Sequence, residues 1–126
     1  MAFWGAPRDD EDHAYHALEA AEKMTRLMEF ANSRWMKDYG IEVELAIGLN
    51  TGDAVVGNIG SETRMEYTAI GHVVNRAARL EALARPGQVL VTEEVRQGVE
   101  GFGFRPISTE LLAVGGEEAE VYEVVF

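Results

Sequence analysis

Hydrophobic periodicity predicts one long amphipathic helix in the first third of the chain. Apolar residues follow one another at steps of three and four, which is the spacing of one helical face. The acidic residues 9–12 lie where a helix N-terminus favours negative charge, and Gly40 is the expected C-cap after Tyr39. Ahead of this helix, residues 1–5 predict the end of a buried strand and a turn. The apolar positions of the helix are Ala14, Ala17, Leu18, Ala21, Met24, Met28, Ala31 and Trp35.

The next segment changes to an alternation of apolar and polar residues. Residues 41–50 therefore predict a half-buried strand. A turn at residues 51–53 leads to a second apolar segment, residues 54–60, and we expect these two strands to form a hairpin. Residues 62–66 are polar and predict a loop, whereas residues 68–70 predict a short strand end. The alternating apolar positions are Val43, Leu45 and Ile47.

The second half of the chain predicts further helices and strands. In order, they are a helix over residues 72–84 that ends before Pro86, a strand over 88–92, a short helix to Gln97, and strands over 103–107 and 120–126. Thr92 is placed to cap the short helix. Such an order predicts an α/β (α+β) sandwich, with helices packed on a largely antiparallel sheet. We expect residues 1–126 to form a single domain, and a beginning inside a strand suggests the later part of a larger one.

Composition narrows the classes of partner. The chain has 126 residues with 22 acidic and 11 basic side chains, a net charge of −11. This charge disfavours non-specific binding to nucleic acid or to anionic membranes. No cysteine is present, which excludes disulfides and thiolate chemistry and is compatible with a cytoplasmic location. No apolar run approaches the length of a membrane span.

Two weaker motifs have ordinary structural explanations. The glycines between residues 48 and 60 are not followed by Gly-Lys-Ser/Thr, so hairpin glycines are favoured over a phosphate-binding loop. His13 and His16 are three residues apart near several carboxylates and are a possible metal pair. A solvated helix face explains these two histidines better, because their spacing is not that of HExxH.

Asn75 and Arg79 form a more specific pair. They are four residues apart, so on a helix they lie one turn from each other on the same face. An amide and a guanidinium directed at one spot suit the charge that develops on a phosphoryl group. His72 and Arg76 repeat this spacing, and Gly71 precedes the helix. On spacing alone the favoured interpretation is a surface ion pair of Arg79 with a carboxylate and a solvated Asn75.

The run IGLNTGDAVVGNIGSETRMEYTAIGHVVNRAARLEALARPGQVLVTEE, residues 47–94, resembles the class III adenylate and guanylate cyclase catalytic domain. The opening MAFWGAPRDDEDHA and the final AEVYEVVF are also similar to this family. The resemblance covers nearly the whole chain but only the later two-thirds of the family's domain. It implies a ferredoxin-like fold, truncated at its N-terminus, in which two domains pair head to tail. The sites at their interface convert ATP or GTP into the cyclic nucleotide and pyrophosphate.

The resemblance also implies roles for individual residues. Asn75 would orient the ribose and Arg79 would stabilise charge on the α-phosphate. Thr68 and Ala69 fall where the family binds the nucleotide base. A threonine at position 68 resembles bacterial adenylate cyclases, so ATP is the expected substrate, although Thr68 could instead satisfy its own strand backbone.

Three departures from the family pattern qualify this resemblance. The aspartates that hold two divalent metal ions (Mg or Mn), and a lysine that reads adenine, lie upstream in the family and are absent here. Gly115 replaces a lysine that holds the terminal phosphates, and His72 replaces an aspartate that caps the helix. We therefore expect this chain alone to bind no metal and, as a homodimer, to be inert. Two hypotheses follow: part of an adenylate cyclase catalytic domain that forms cyclic AMP when complete, or a catalytically silent dimerisation or regulatory module.

Overall fold

The computed structural model describes residues 1–107, 113–114 and 117–126. The described residues begin with a long helix, and two shorter helices interrupt the strands that follow. In chain order, the elements are α1 His13–Tyr39, β1 Ile47–Leu49, β2 Val55–Ser61, β3 Arg64–Ile70, α2 His72–Leu83, β4 Val89–Thr92, α3 Glu93–Gln97, β5 Gly103–Ile107, β6 Ala113–Val114, β7 Glu117–Glu118 and β8 Val121–Val125. Within these residues, no helix is both long enough and apolar enough to cross a membrane.

A four-stranded sheet in the order β1-β4-β8-β5 forms the centre of the molecule. β4 pairs in parallel with β1 and antiparallel with β8, and β5 pairs antiparallel with β8. All four residues of β4 are buried, as expected for a strand that is covered on both faces and paired on both sides. The prediction of a sandwich with a largely antiparallel sheet is therefore confirmed.

The two long helices cover opposite faces of this sheet. Leu18 of α1 packs with Val89 and Val91 in the main core. Leu80 of α2 packs with Leu90 in a second core cluster. Because successive strand residues point to opposite faces, the alternation within β4 places one helix on each side.

The predicted hairpin between the first two strands is wrong. β1 pairs with β4, and the hairpin is instead formed by β2 and β3, with Val55 opposite Ile70. The polar residues 64–66, predicted as a loop, belong to β3. Their polarity is compatible with a strand because this part of the two-stranded ribbon is exposed and no core imposes an apolar face. β4, by contrast, needs a neighbour on each side to satisfy its backbone, and β1 provides one.

Two further strand predictions are wrong, both near α1. Residues 1–5 form no strand, although the Phe3 ring lies 6.0 Å from the Tyr67 ring. Residues 41–46 are not a strand either. The Asn32 amide holds this segment against α1 through two hydrogen bonds to the Val43 backbone, of 2.6 and 2.8 Å. A side-chain amide thus takes the place of a strand partner.

The remaining element predictions are confirmed. α1 ends at Tyr39 with Gly40 in the left-handed conformation, at φ 68°. α2 differs from the prediction by one residue at its end, and β4, α3, β5 and β8 lie where they were expected. Only the first part of α1 is fully buried, however. Of the later predicted apolar positions, Met28, Ala31 and Trp35 are half-buried and Met24 is exposed.

Candidate active site

The exposed face of α2 holds the two residues that the sequence singled out. Asn75 and Arg79 are both exposed, one turn apart, while Leu80 beneath them is buried. Within the described part of the chain, neither side chain makes a hydrogen bond or an ion pair. The simpler interpretation was that Arg79 pairs with a surface carboxylate. Among the described residues, no carboxylate forms such a pair with Arg79. An amide and a guanidinium so placed can bind an anionic ligand together.

The junction between β3 and α2 fixes where this face begins. Gly71 adopts φ 141° between the two elements, a conformation that favours glycine. The backbone N–H of Asn75 donates to the Gly71 carbonyl over 3.2 Å, which closes the first helical turn. The strand that carries Thr68 thus leads directly into the helix that carries Asn75.

Thr68 and Ala69 lie next to each other on β3. Thr68 is half-buried and pairs with Gly57, and Ala69 is buried and pairs with Val56. Their side chains point to opposite faces of the ribbon because neighbouring strand residues alternate. A ligand that contacts the Thr68 hydroxyl can therefore reach Ala69 only through its backbone.

α2 packs directly against the backbone of β1. A Cβ at Gly48 would lie 2.4 Å from the Glu81 nitrogen and 2.5 Å from the Ala77 oxygen. These distances are shorter than van der Waals contact permits, so only glycine allows this approach. Gly48 was predicted as a hairpin glycine permitting close backbone packing, and its neighbour is in fact a helix.

A part-buried polar network behind α2 was not predicted. The Asn50 amide donates to the Val73 carbonyl over 3.1 Å and accepts from the Thr92 hydroxyl over 2.8 Å. Thr92 occupies the predicted N-cap position of α3, but its side chain makes no capping hydrogen bond there. Its hydroxyl is directed to Asn50 instead. The sequence signal was a polar residue directly after β1 and another at the end of the buried β4.

A cavity of about 1020 Å³ lies on the other side of α2. Residues 1–6, part of α1, β1, the loop after it and one side of α2 line this cavity; the α2 residues are Val73, Val74, Ala77, Ala78 and Glu81. Neither Asn75 nor Arg79 lines it, and a helical turn of 3.6 residues centres these two on the far side of α2. These two side chains therefore point away from the cavity of their own chain.

His13 and His16 do not form a metal pair. The His13 ring contacts the Asp10 carbonyl at 3.0 Å and the Thr51 hydroxyl at 2.7 Å. The His16 ring donates to the Asp10 carboxylate over 2.7 Å. That hydrogen bond raises the pKa of His16 and lowers the pKa of Asp10. The favoured interpretation of a solvated helix face holds for His16, whereas His13 ties α1 to the loop after β1.

Among the residues that the structure describes, no three His, Asp or Glu side chains lie close enough together to hold a metal ion. These residues do not fit the pair of divalent ions that the resemblance implies, and we assign no step to such ions. Gly115, the second departure from the family pattern, lies outside the described residues.

Comparison with known proteins identifies the family. The family profile for the adenylate and guanylate cyclase catalytic domain matches residues 1–125. Adenylate cyclase 1 of Rhizobium meliloti (strain 1021) is 35% identical over 99% of this chain, which spans 19% of that protein. The adenylate cyclase of Anabaena cylindrica is 30% identical over 91% of this chain and 25% of its own length.

Solved structures agree with these relatives. The adenylyl cyclase CyaB from P. aeruginosa superposes with a TM-score of 0.89 at 30% identity, over 98% of this chain and 65% of that chain. The guanylyl cyclase Cya2 superposes with a TM-score of 0.79 at 28% identity, over 96% of this chain and 62% of that chain. The fold is therefore the class III nucleotidyl cyclase fold. The chain belongs to the family of adenylate and guanylate cyclase catalytic domains.

Proposed function

We propose that this chain is the part of an adenylate cyclase that supplies Asn75, Arg79 and Thr68 to a site shared by two subunits. One observation carries the proposal: Asn75 and Arg79 are exposed on one face of α2 that points away from the chain's own cavity. A site that used both would be completed by a second subunit. The product would be cyclic AMP, which implies a cytoplasmic signalling role.

The proposed chemistry is an intramolecular phosphoryl transfer. The 3′-oxygen of ATP attacks the α-phosphorus, the bond to the pyrophosphate oxygen breaks, and the 3′-proton leaves to solvent or a base. Asn75 would hold the ribose so that its 3′-oxygen is in line, which is a positional contribution to rate. The Arg79 guanidinium would stabilise negative charge on the α-phosphate oxygens.

The two-stranded ribbon supports a homodimer. Val55 and Ile70 lie opposite each other and expose 65% and 48% of their surface, and Thr68 lies on the same ribbon face. An isolated two-stranded ribbon is marginally stable in water, and an exposed apolar patch favours association. A second copy covering this face would bring Thr68 to the seam between subunits.

Adenine is the proposed base. The Thr68 hydroxyl can accept a hydrogen bond from an exocyclic amino group, which ATP has at the position where GTP carries an oxygen. The relatives from Rhizobium meliloti and Anabaena cylindrica are named adenylate cyclases, which supports the choice. Cya2 is named a guanylyl cyclase, so both nucleotides belong in the assay.

The test replaces Arg79 with alanine in the natural gene product that contains these 126 residues. We expect the wild type to form cyclic AMP from Mn-ATP faster than cyclic GMP from Mn-GTP. Arg79→Ala should reduce kcat by about a hundredfold or more, the typical effect of losing one charge-stabilising contact. Arg85→Ala is the matched control, because Arg85 is an exposed arginine just beyond the same helix.

Equal cyclic AMP formation by Arg79→Ala and Arg85→Ala would contradict the role assigned to Arg79. An inactive wild-type gene product would instead favour the silent dimerisation or regulatory module. The family's helix-capping aspartate is replaced here by His72, and among the described residues no side chain caps α2, which favours that module. The 126-residue chain by itself is predicted to be inert in the same assay.

A further inference from the structure

We propose that Asn50 is a positioning residue that, together with Thr92, sets the first turn of α2. Its effect on catalysis rests on the proposed function above. The geometric claim stands on the hydrogen bonds alone. Asn50 follows β1, Thr92 ends β4, and Val73 is in the first turn of α2. One side chain thus connects the ends of two neighbouring parallel strands to the start of the helix.

The two hydrogen bonds fix the orientation of the Asn50 amide. The Val73 carbonyl can only accept, so the amide NH₂ must face it. The amide oxygen then faces Thr92, whose hydroxyl must donate. Thr92 is only 1% exposed, so water cannot easily replace a lost partner. An asparagine is therefore the residue that meets both demands at once, with one donor end and one acceptor end.

The position of Val73 gives this network its functional consequence. Asn75 is two residues further along α2, and Arg79 is one turn beyond Asn75. On the side of α2 opposite Asn75 and Arg79, Gly48 permits the close approach of the helix to β1. Gly48 sets the separation between helix and strand, and Asn50 sets the position of the first turn. Catalysis that depends on in-line geometry is sensitive to shifts of about 1 Å in such groups.

Asn50→Asp is the principal test, because it removes the hydrogen bond to Val73 and keeps the one from Thr92. The carboxylate still accepts from Thr92, but it cannot donate to the Val73 carbonyl and it repels that oxygen. We expect faster hydrogen exchange at the amides of residues 75–79 than in the wild type, with α1 and β8 unchanged. Thr92→Val should have a smaller effect at the same amides, since it retains the bond to Val73. Asn58→Asp is the matched control, because Asn58 is exposed on β2.

Hydrogen exchange of Asn50→Asp measured at lower pH distinguishes a lost hydrogen bond from a general loss of stability. A protonated carboxyl regains an O–H donor. The excess exchange of Asn50→Asp over the wild type should therefore shrink near pH 4, about the ordinary pKa of an aspartate. Exchange in residues 75–79 that matches the Asn58→Asp control at neutral pH would overturn the proposal.

The catalytic part of the inference is tested in the natural gene product. Asn50→Asp should lower kcat for ATP about tenfold or more while changing KM by less than about threefold, since orientation is lost before binding. Equal kcat values for Asn50→Asp and Asn58→Asp would overturn it. If the wild type forms no cyclic AMP, the proposed function fails by itself. The exchange experiment on the 126-residue chain then still decides whether Asn50 positions α2.

Discussion

At the start of α1, Asp10 and His16 form an ion pair that depends on pH. The hydrogen bond between them raises the pKa of His16, and the charges of Asp12 and Glu19 add to this effect. The same bond lowers the pKa of Asp10. A raised histidine pKa stabilises the fold below the unfolded-state pKa, and the effect is lost as pH rises through the folded-state pKa. A lowered aspartate pKa stabilises above its unfolded value and is lost as pH falls through the folded one.

His16→Gln is predicted to lower thermal stability most between these two titrations. Both groups are ionised at a mildly acidic pH, above the lowered pKa of Asp10 and below the raised pKa of His16, whereas His16 becomes neutral at a pH above that raised pKa. The difference in Tm between wild type and variant, measured by circular dichroism, should therefore be larger at the lower pH. Glu11→Gln serves as a control for a charge change outside the pair. An equal Tm difference at both pH values would show that the ion pair does not contribute.

Individual residues differ in how far the sequence could place them. The shared face of Asn75 and Arg79 could be predicted, because four residues make about one turn in any helix. The contact of Asn50 with Thr92 could not, because these residues are 42 positions apart. Only the pairing of β1 with β4 brings them together. Thr92 also has the residue type and position of a helix cap, so the sequence predicted that its hydroxyl binds the backbone of α3 rather than Asn50.

The close packing of α2 on β1 predicts that a methyl group added at Gly48 destabilises the fold. Gly48→Ala would place a Cβ against backbone atoms of Glu81 and Ala77, which have no flexible side chain to move aside. We expect a loss of about 1–3 kcal/mol in the free energy of unfolding, as is usual for overpacking. Urea unfolding measures it. Gly57→Ala is the control, since Gly57 is also in a strand and a Cβ there meets nothing within 4 Å.

A stability loss for Gly48→Ala no larger than for Gly57→Ala would mean that α2 moves away at little energetic expense. In that case the helix would not be held at a fixed distance from β1. Retained stability together with reduced cyclic AMP formation would show that α2 shifts without unfolding. That result would support the dependence of Arg79 on helix placement.

Whole elements were predictable where a core imposed periodicity. α2 and the fully buried β4 have such a pattern, and both lie where they were expected. β3 does not, because its first residues are polar and belong to an exposed ribbon. Strand partners were the least predictable feature. β1 leads into a turn and a second apolar segment, the pattern of a hairpin, yet the buried β4 is its partner.

Self-association through the ribbon is the prediction for the whole molecule. Val55→Lys should shift the 126-residue chain from dimer towards monomer in light scattering, because a charge would be buried at the proposed seam. Leu27→Lys is the matched control, since Leu27 on α1 is 66% exposed and Val55 is 65% exposed. A monomeric wild type would show that the proposed interface does not form. A dimer that Leu27→Lys disrupts and Val55→Lys does not would place the interface on another surface.

The parallel pairing of β1 with β4 has a consequence for synthesis on the ribosome. Their facing ends are 42 residues apart, and the ribbon and α2 are made between them. At about 5–20 residues per second, β1 is synthesised ~2–8 s before β4. During that interval its backbone N–H and C=O groups are open to a chaperone or to another nascent chain. The ribbon and α2 are synthesised during this interval, and β1 can complete its pairing only when β4 follows them.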